Sequence, residues 1–188
     1  MKEPHPFRHV SVVNGPGAHG KDQFIAYVLE VAASLGIAGH NFSSIDPCRL
    51  WSQRRYGFEP TDKSDEARRA LIALKRDWER RVPQGPNRYL LRQVMQVESG
   101  FVFLHVRELP NILTLQRMGK RQGVAIETVH VLRPGHTIPD NPSDRGTLGP
   151  PDNQFPYDLF IENAGSLDDL RQIAARYVAD RTPSIARL

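Results

Sequence analysis

The stretch Phe7–Gln23, FRHVSVVNGPGAHGKDQ, decides how the rest of the chain reads. Phe7–Val13 is a short run of apolar and β-branched residues, the composition of a buried strand, and it breaks at Asn14-Gly15-Pro16-Gly17 into a glycine-rich turn. Lys21–Leu35 then carries apolar side chains at 24, 25, 28, 29, 31, 32 and 35, a helical spacing, and stops at Gly36. Between the strand and the helix stand Gly15, Gly17, Ala18, His19, Gly20, Lys21 and Asp22, matching G-x-x-x-x-G-K with Asp where Ser or Thr is usual. Glycine lets the backbone curl until successive N–H groups face a phosphate at a helix N-terminus, where the helix dipole also favours negative charge. An ammonium at Lys21 then reaches the β- and γ-phosphates, and a carboxylate at Asp22 suits magnesium, directly or through a water. His19, inside the loop, is expected to be solvated.

Outward from this loop, strands and helices alternate. His40–Ile45 reads as a weak strand, and Asp46-Pro47 as a helix entrance, a capping-type residue before proline. Thr61–Arg81 is expected to be helical, with Ala67, Leu71, Leu74 and Trp78 at threes and fours, until Pro83-Gln84-Gly85-Pro86 breaks it. Asn87–Val97 reads as a short helix. Phe101–Val106, FVFLHV, is continuous and apolar, as befits the centre of a parallel sheet. Leu109–Lys120 looks helical, Gly123–Val131 and Tyr157–Glu162 look like strands, and Gly165–Asp180 is an amphipathic helix with a Ser166/Asp169 capping box. Residues 133–156 hold six prolines and three glycines, a long irregular segment of the kind more often functional than accidental. The expected fold is a single α/β domain over residues 1–188, three layers deep, with a mainly parallel five-stranded sheet flanked by helices.

Composition narrows the possibilities further. The chain has 188 residues and a formal net charge of +4. Its one cysteine, Cys48, excludes an intramolecular disulfide framework and a multi-cysteine metal site, which makes the cytoplasm the default compartment. No apolar run has the length of a signal peptide core or a membrane span. Residues 46–92 concentrate twelve Lys and Arg against seven Asp and Glu, so the surplus sits there, and a phosphate-bearing partner suits it. Within that segment Asp46 is the best-placed carboxylate to orient a hydroxyl acceptor, with a helix cap as its other reading. Arg49, Lys63, Arg68, Arg69 and Lys75 are candidate ligands for acceptor phosphates. Trp51, Tyr56 and Phe58 are candidates to stack on a base, whereas Trp78 fits a core stripe.

GPGAHGKD, the strand ending in Val106-Arg107-Glu108 and the tail YDLFIENAGSLDDL together resemble P-loop kinases of the nucleoside-monophosphate-kinase-like group. The GKD variant is similar to that of phage deoxynucleoside monophosphate kinases and animal-type phosphomevalonate kinases. KSDEARRALIALKRDW followed by GPNRYL looks most like phage kinases that act on 5-hydroxymethyluracil in DNA. The resemblance implies a P-loop NTPase fold, ATP and Mg2+ as cofactors, and transfer to a nucleotide-like acceptor. The favoured acceptor is modified phage DNA; a free deoxynucleoside monophosphate is the alternative, and a non-catalytic nucleotide- or DNA-binding module is the competing class. It further implies nucleotide contacts from Asn14 through Asp22, and an adenine-side loop at Asn163 and Gly165. Arg107 would meet the acceptor or its phosphate, Glu108 would hold magnesium through water, and a lid at 133–156 would carry an arginine, Arg145 before Arg133.

Overall fold

β1 (Arg8–Asn14) is the middle strand of a five-stranded sheet in the order β2-β3-β1-β4-β5, formed with β2 (Gly39–Ser43), β3 (Gly100–His105), β4 (Glu127–Leu132) and β5 (Leu159–Glu162). Every pairing is parallel. The computed structural model describes residues 7–59, 64–138, 146–149 and 154–182. Six helices flank the sheet among these residues: α1 (Lys21–Ser34), α2 (Asp46–Tyr56), α3 (Asp65–Arg81), α4 (Gly85–Gln96), α5 (Leu109–Arg121) and α6 (Leu167–Arg181). No helix among them is long and apolar enough to cross a membrane.

The sheet is covered on both faces, which is why its inner strands read as unbroken apolar runs. Val10, Val12, Val102 and Leu104 share one core with Leu90 and Val94 of α4, Ile112 and Leu115 of α5, and Phe155 and Tyr157. Val13, Phe101, Phe103, Val129 and Val131 share the other with Phe24, Ile25 and Val28 of α1 and Leu170, Ala174 and Val178 of α6. Each fully buried Val, Leu, Ile or Phe among them contributes about 1.5–3 kcal/mol by leaving water.

The element boundaries follow local chemistry. Ser64 caps α3 by accepting a hydrogen bond from the Ala67 N–H at 3.2 Å, so the helix begins later than its apolar spacing suggested. Gly123 takes φ +72° at the end of α5 and Val124 N–H returns to Gly119 O, so β4 begins at Glu127 rather than at the glycine. β5 begins two residues late because Tyr157 leaves the sheet to fill the first core. The Ser166/Asp169 capping box forms as expected, and Asp169 falls where a Cβ on Gly165 would be, 2.4 Å from its Oδ2.

Parallel strands place all their carboxyl ends at one edge, where the loops after β1, β2, β3, β4 and β5 converge. Further back along the strands, Glu127 anchors α6 to the sheet. Its carboxylate accepts from Arg181 Nε at 3.0 Å and Nη2 at 2.5 Å, from Tyr177 OH at 2.9 Å, and contacts His9 Nε2 at 3.0 Å. Burial alone would raise its pKa, but the hydrogen bonds from His9, Arg181 and Tyr177 outweigh it and hold the group at about 2.

Candidate active site

The loop between β1 and α1 is shaped by three unusual backbone conformations, at Gly15 (φ +147°), Ala18 (φ +62°) and Gly20 (φ +94°). A Cβ on Gly15 would lie 2.3 Å from the Val131 carbonyl oxygen, so the loop leaves β1 pressed against β4 at a distance that excludes a side chain. A Cβ on Gly20 would lie 2.4 Å from Asn163 Nδ2. Ala18, the exposed apex after Gly17, adopts a left-handed conformation that costs a non-glycine residue about 1 kcal/mol or more, and such strain concentrates at ligand loops. Lys21 follows at the first turn of α1 with its side chain only 11% exposed and its Nζ 3.5 Å from Asp22 Oδ1, while Asp22 is 78% exposed.

Asn14 is buried and works as a hub beneath the loop. Its Oδ1 accepts the Gly15 N–H at 2.8 Å, and its Nδ2 donates to Tyr157 OH at 2.8 Å and to Arg107 O at 3.2 Å. Tyr157 OH in turn donates to Thr147 O at 2.6 Å, so one amide ties the loop to the β3–α5 connection and to Tyr157 and, through it, Thr147. His19, expected to be solvated, is fully buried instead: its Nδ1 accepts the Arg133 N–H at 2.9 Å and its carbonyl accepts Asn163 Nδ2 at 3.1 Å. The reason is packing, since β4 and the connection after β5 close over the loop from behind. Asn163 therefore braces the loop through His19 and lies against Gly20, and Arg133 lends its backbone to the same brace.

Behind this brace His130, in register with Asn14, is completely buried beside Tyr157 with ring centroids 4.8 Å apart. Both its ring nitrogens lack a hydrogen-bond partner among the described residues. Burial, with a smaller contribution from His19, pushes its pKa down to about 4, so it is a neutral imidazole at pH 7.

On the other side of Lys21 the structure gathers β2, β3 and α2. Asp46 accepts the Ser43 N–H on Oδ2 at 2.6 Å and Arg49 Nη1 on Oδ1 at 2.9 Å, so both of its oxygens are engaged and it holds Arg49 in place. His105, the last residue of β3, has its Nε2 2.7 Å from Asn41 Oδ1 and its Nδ1 3.9 Å from Asp22 Oδ1. Burial lowers the pKa of this imidazole, against the pull of Asp22. No sequence motif singles out His105, although alternation along FVFLHV turns residues 101, 103 and 105 to the face that α1 covers. Nor does any motif mark Tyr157 or Thr147 as part of the loop's support.

The remaining expected site residues have the following surroundings. Glu108 gives its carboxylate to Lys75 Nζ at 2.5 Å; burial opposes this, but Lys75 lowers its pKa below the ordinary value. Lys75 thus joins α3 to the start of α5. Arg107 is exposed at the carboxyl edge, and Arg68 and Arg69 are exposed on α3. Trp51 packs edge-on against Trp78 at 5.2 Å and remains 37% exposed, while Tyr56, 48% exposed, lies under the Arg55 guanidinium at 5.5 Å and beside Phe58 at 6.1 Å. Trp78 rests on Gly85, where an added Cβ would meet its indole at 2.5 Å. Lys63 and Arg145 lie outside the described residues. Among the described residues no group of three His, Cys, Asp or Glu side chains is arranged to hold a metal without help from another ligand.

No family model and no curated protein sequence matches the chain. Solved structures do. The APS kinase CysC of Mycobacterium tuberculosis, in complex with AMPPNP and APS, superposes with a TM-score of 0.54 at 15% identity, over 93% of this chain and 99% of that one. A cysteine-to-alanine variant of the same enzyme gives 0.52 at 15% identity with the same coverage. The structure of APE1195 gives 0.53 at 11% identity, over 97% of this chain and 100% of that one. At these identities the likeness is one of fold: the chain has the three-layer α/β architecture of P-loop NTPases, built on an all-parallel sheet.

Proposed function

We propose that the chain is an ATP-dependent phosphotransferase acting on a nucleotide-like acceptor, with the hydroxymethyl group of 5-hydroxymethyluracil in DNA as the favoured acceptor. The observation that carries the reading is Lys21, largely withdrawn from solvent at the first turn of α1, directly after a loop whose backbone at Gly15 and Gly20 excludes side chains. That cradle fits a triphosphate: N–H groups and a helix N-terminus favour the anion, and the ammonium offsets charge on the transferring group. The structural likeness to a kinase whose structure is in complex with AMPPNP and APS supports the same class of reaction.

Asp22, exposed at the mouth of the loop, fits a magnesium ion carried in with the nucleotide, whose chemistry is to neutralise phosphate charge. This chain's own residues do the rest. Asn14 and Asn163 hold the loop in shape through Gly15 and His19, so little reorganisation is needed when the nucleotide arrives. Arg49, steadied by Asp46, and the exposed Arg107 supply positive charge where the acceptor enters. The basic segment 46–92, with exposed Arg68, Arg69, Trp51 and Tyr56, supports a polymeric acceptor, because a surface that mixes cations with aromatic faces suits nucleic acid. Arg145 completes the proposal as the lid arginine.

The test is transfer from γ-labelled ATP to a panel of deoxynucleoside monophosphates, mevalonate phosphate and DNA containing 5-hydroxymethyluracil. Label on the modified DNA, lost with Lys21→Ala and falling steeply as salt rises, is the expected outcome. Absence of any Lys21-dependent transfer, together with no magnesium–ATP binding by calorimetry, refutes the kinase reading. Full-rate transfer to monophosphates with none to DNA refutes the acceptor.

A further inference from the structure

His105 joins the phosphate side of the site to the acceptor side. Lys21 and Asp22 from the start of α1, and Asp46 and Arg49 from α2, are all close enough to act on its ring. Its orientation is set from outside the site. Asn41 Oδ1 is an acceptor only, so the contact at 2.7 Å places a hydrogen on His105 Nε2 and leaves Nδ1 with a lone pair, facing the space beside Asp22 and Lys21. The side chain is 19% exposed, so the imidazole is not sealed in the core. The neighbouring carboxylate that the sequence offers for this purpose, Asp46, has both oxygens committed to Ser43 and Arg49.

We propose that His105 is a specificity-determining residue: its Nδ1 accepts a hydrogen bond from the hydroxyl of the acceptor and turns away acceptors that present only phosphate oxygens. The inference rests on the phosphotransferase reading above and deepens it by naming the acceptor atom as an O–H. A hydroxyl has a hydrogen to place on Nδ1 while its oxygen lone pairs stay directed at the transferring phosphate. An ionised phosphate has none, so two lone pairs face each other and the nitrogen loses its partner on binding. Sites built to pair with a hydroxyl reject partners that cannot pair by large factors.

The experiment measures kcat and KM with magnesium–ATP for two probes, an oligonucleotide containing 5-hydroxymethyldeoxyuridine and thymidine monophosphate. The expected wild-type preference is at least 100-fold in kcat/KM for the oligonucleotide. His105→Ala should remove most of that preference while the KM for ATP stays within about twofold. His105→Asn, whose Oδ1 accepts near the position of Nδ1, should recover at least tenfold of it. Asn41→Ala, a change at an exposed position that frees the ring to turn over, should also weaken the preference without lowering the melting temperature, which covers the case in which His105→Ala fails to fold. Retention of the full preference in His105→Ala, no recovery in His105→Asn, or a wild-type preference for thymidine monophosphate overturns the proposal. These outcomes are read against Lys21→Ala: no Lys21-dependent transfer to either probe, with no magnesium–ATP binding, fails the parent phosphotransferase reading, whereas Lys21-dependent transfer that does not favour the hydroxyl-bearing oligonucleotide leaves that reading standing and sinks the role of His105.

Discussion

Replacing Glu127 by glutamine keeps the shape of a side chain that ties β4 to β1 and α6 but removes the charge that Arg181, His9 and Tyr177 are arranged around. The folded-state pKa of about 2 lies roughly 2.5 units below the ordinary 4.5, and at 1.36 kcal/mol per unit that is about 3 kcal/mol of stability. The side chain is 19% exposed, so solvent screens little of it. The sign follows from proton binding. Between pH 4.5 and 2 the unfolded chain holds a proton on this carboxylate that the folded chain does not. The stabilisation is therefore complete above about pH 5 and lost as the pH falls toward 2. Urea unfolding of wild type and Glu127→Gln at pH 7, 5, 4 and 3 measures it. The variant should be about 3 kcal/mol less stable at pH 7, corresponding to a melting temperature lower by about 6–12 °C for a chain of this size. The gap should narrow as wild type approaches its own protonation. Equal midpoints at pH 7, or a gap that stays constant down to pH 3, would refute the reasoning.

Three further outcomes are expected. His130 is neutral when folded and titrates at about 4 against an ordinary 6.5, so wild type should lose about 3 kcal/mol between pH 6.5 and 4, a higher window than that of Glu127; His130→Leu should lack that loss in the same unfolding series. Gly20→Ala places a methyl 2.4 Å from Asn163 Nδ2 at a φ of +94°, which should cost about 2–4 kcal/mol and at least tenfold in magnesium–ATP affinity; calorimetry and melting curves like those of wild type would contradict it. Tyr157→Phe removes the hydroxyl that accepts from Asn14 and donates to Thr147, so with both hydrogen bonds lost stability measured by chemical unfolding should fall by about 1–3 kcal/mol.

Much of the architecture could be read along the chain. The apolar run FVFLHV marked an inner strand, the spacing in Lys21–Leu35 marked a helix, and Ser166 with Asp169 marked the cap of α6; each depends on residues within a turn or two of one another. The glycine loop was legible for the same reason, because Gly15 and Gly20 meet a backbone requirement local to the strand–helix junction. Buried polar residues were harder. His19 read as solvated because a glycine-rich turn lies at the surface in isolation, whereas residues more than a hundred positions away, among them Arg133, His136 and Asn163, pack against it.

What the amino-acid order determined by itself was therefore the set of elements, the phosphate-type loop and the basic segment, since periodicity, turn chemistry and charge are short-range properties. The strand order β2-β3-β1-β4-β5 decided the rest. By setting β3 between β2 and β1 it brought His105 to Asn41 and Asp22. By setting β4 beside β1 it brought His130 behind Asn14, while the packing of α3 against its neighbours gave Glu108 to Lys75. Those contacts join side chains tens of residues apart, and their energies depend on burial and partner geometry that come into being only when the sheet assembles.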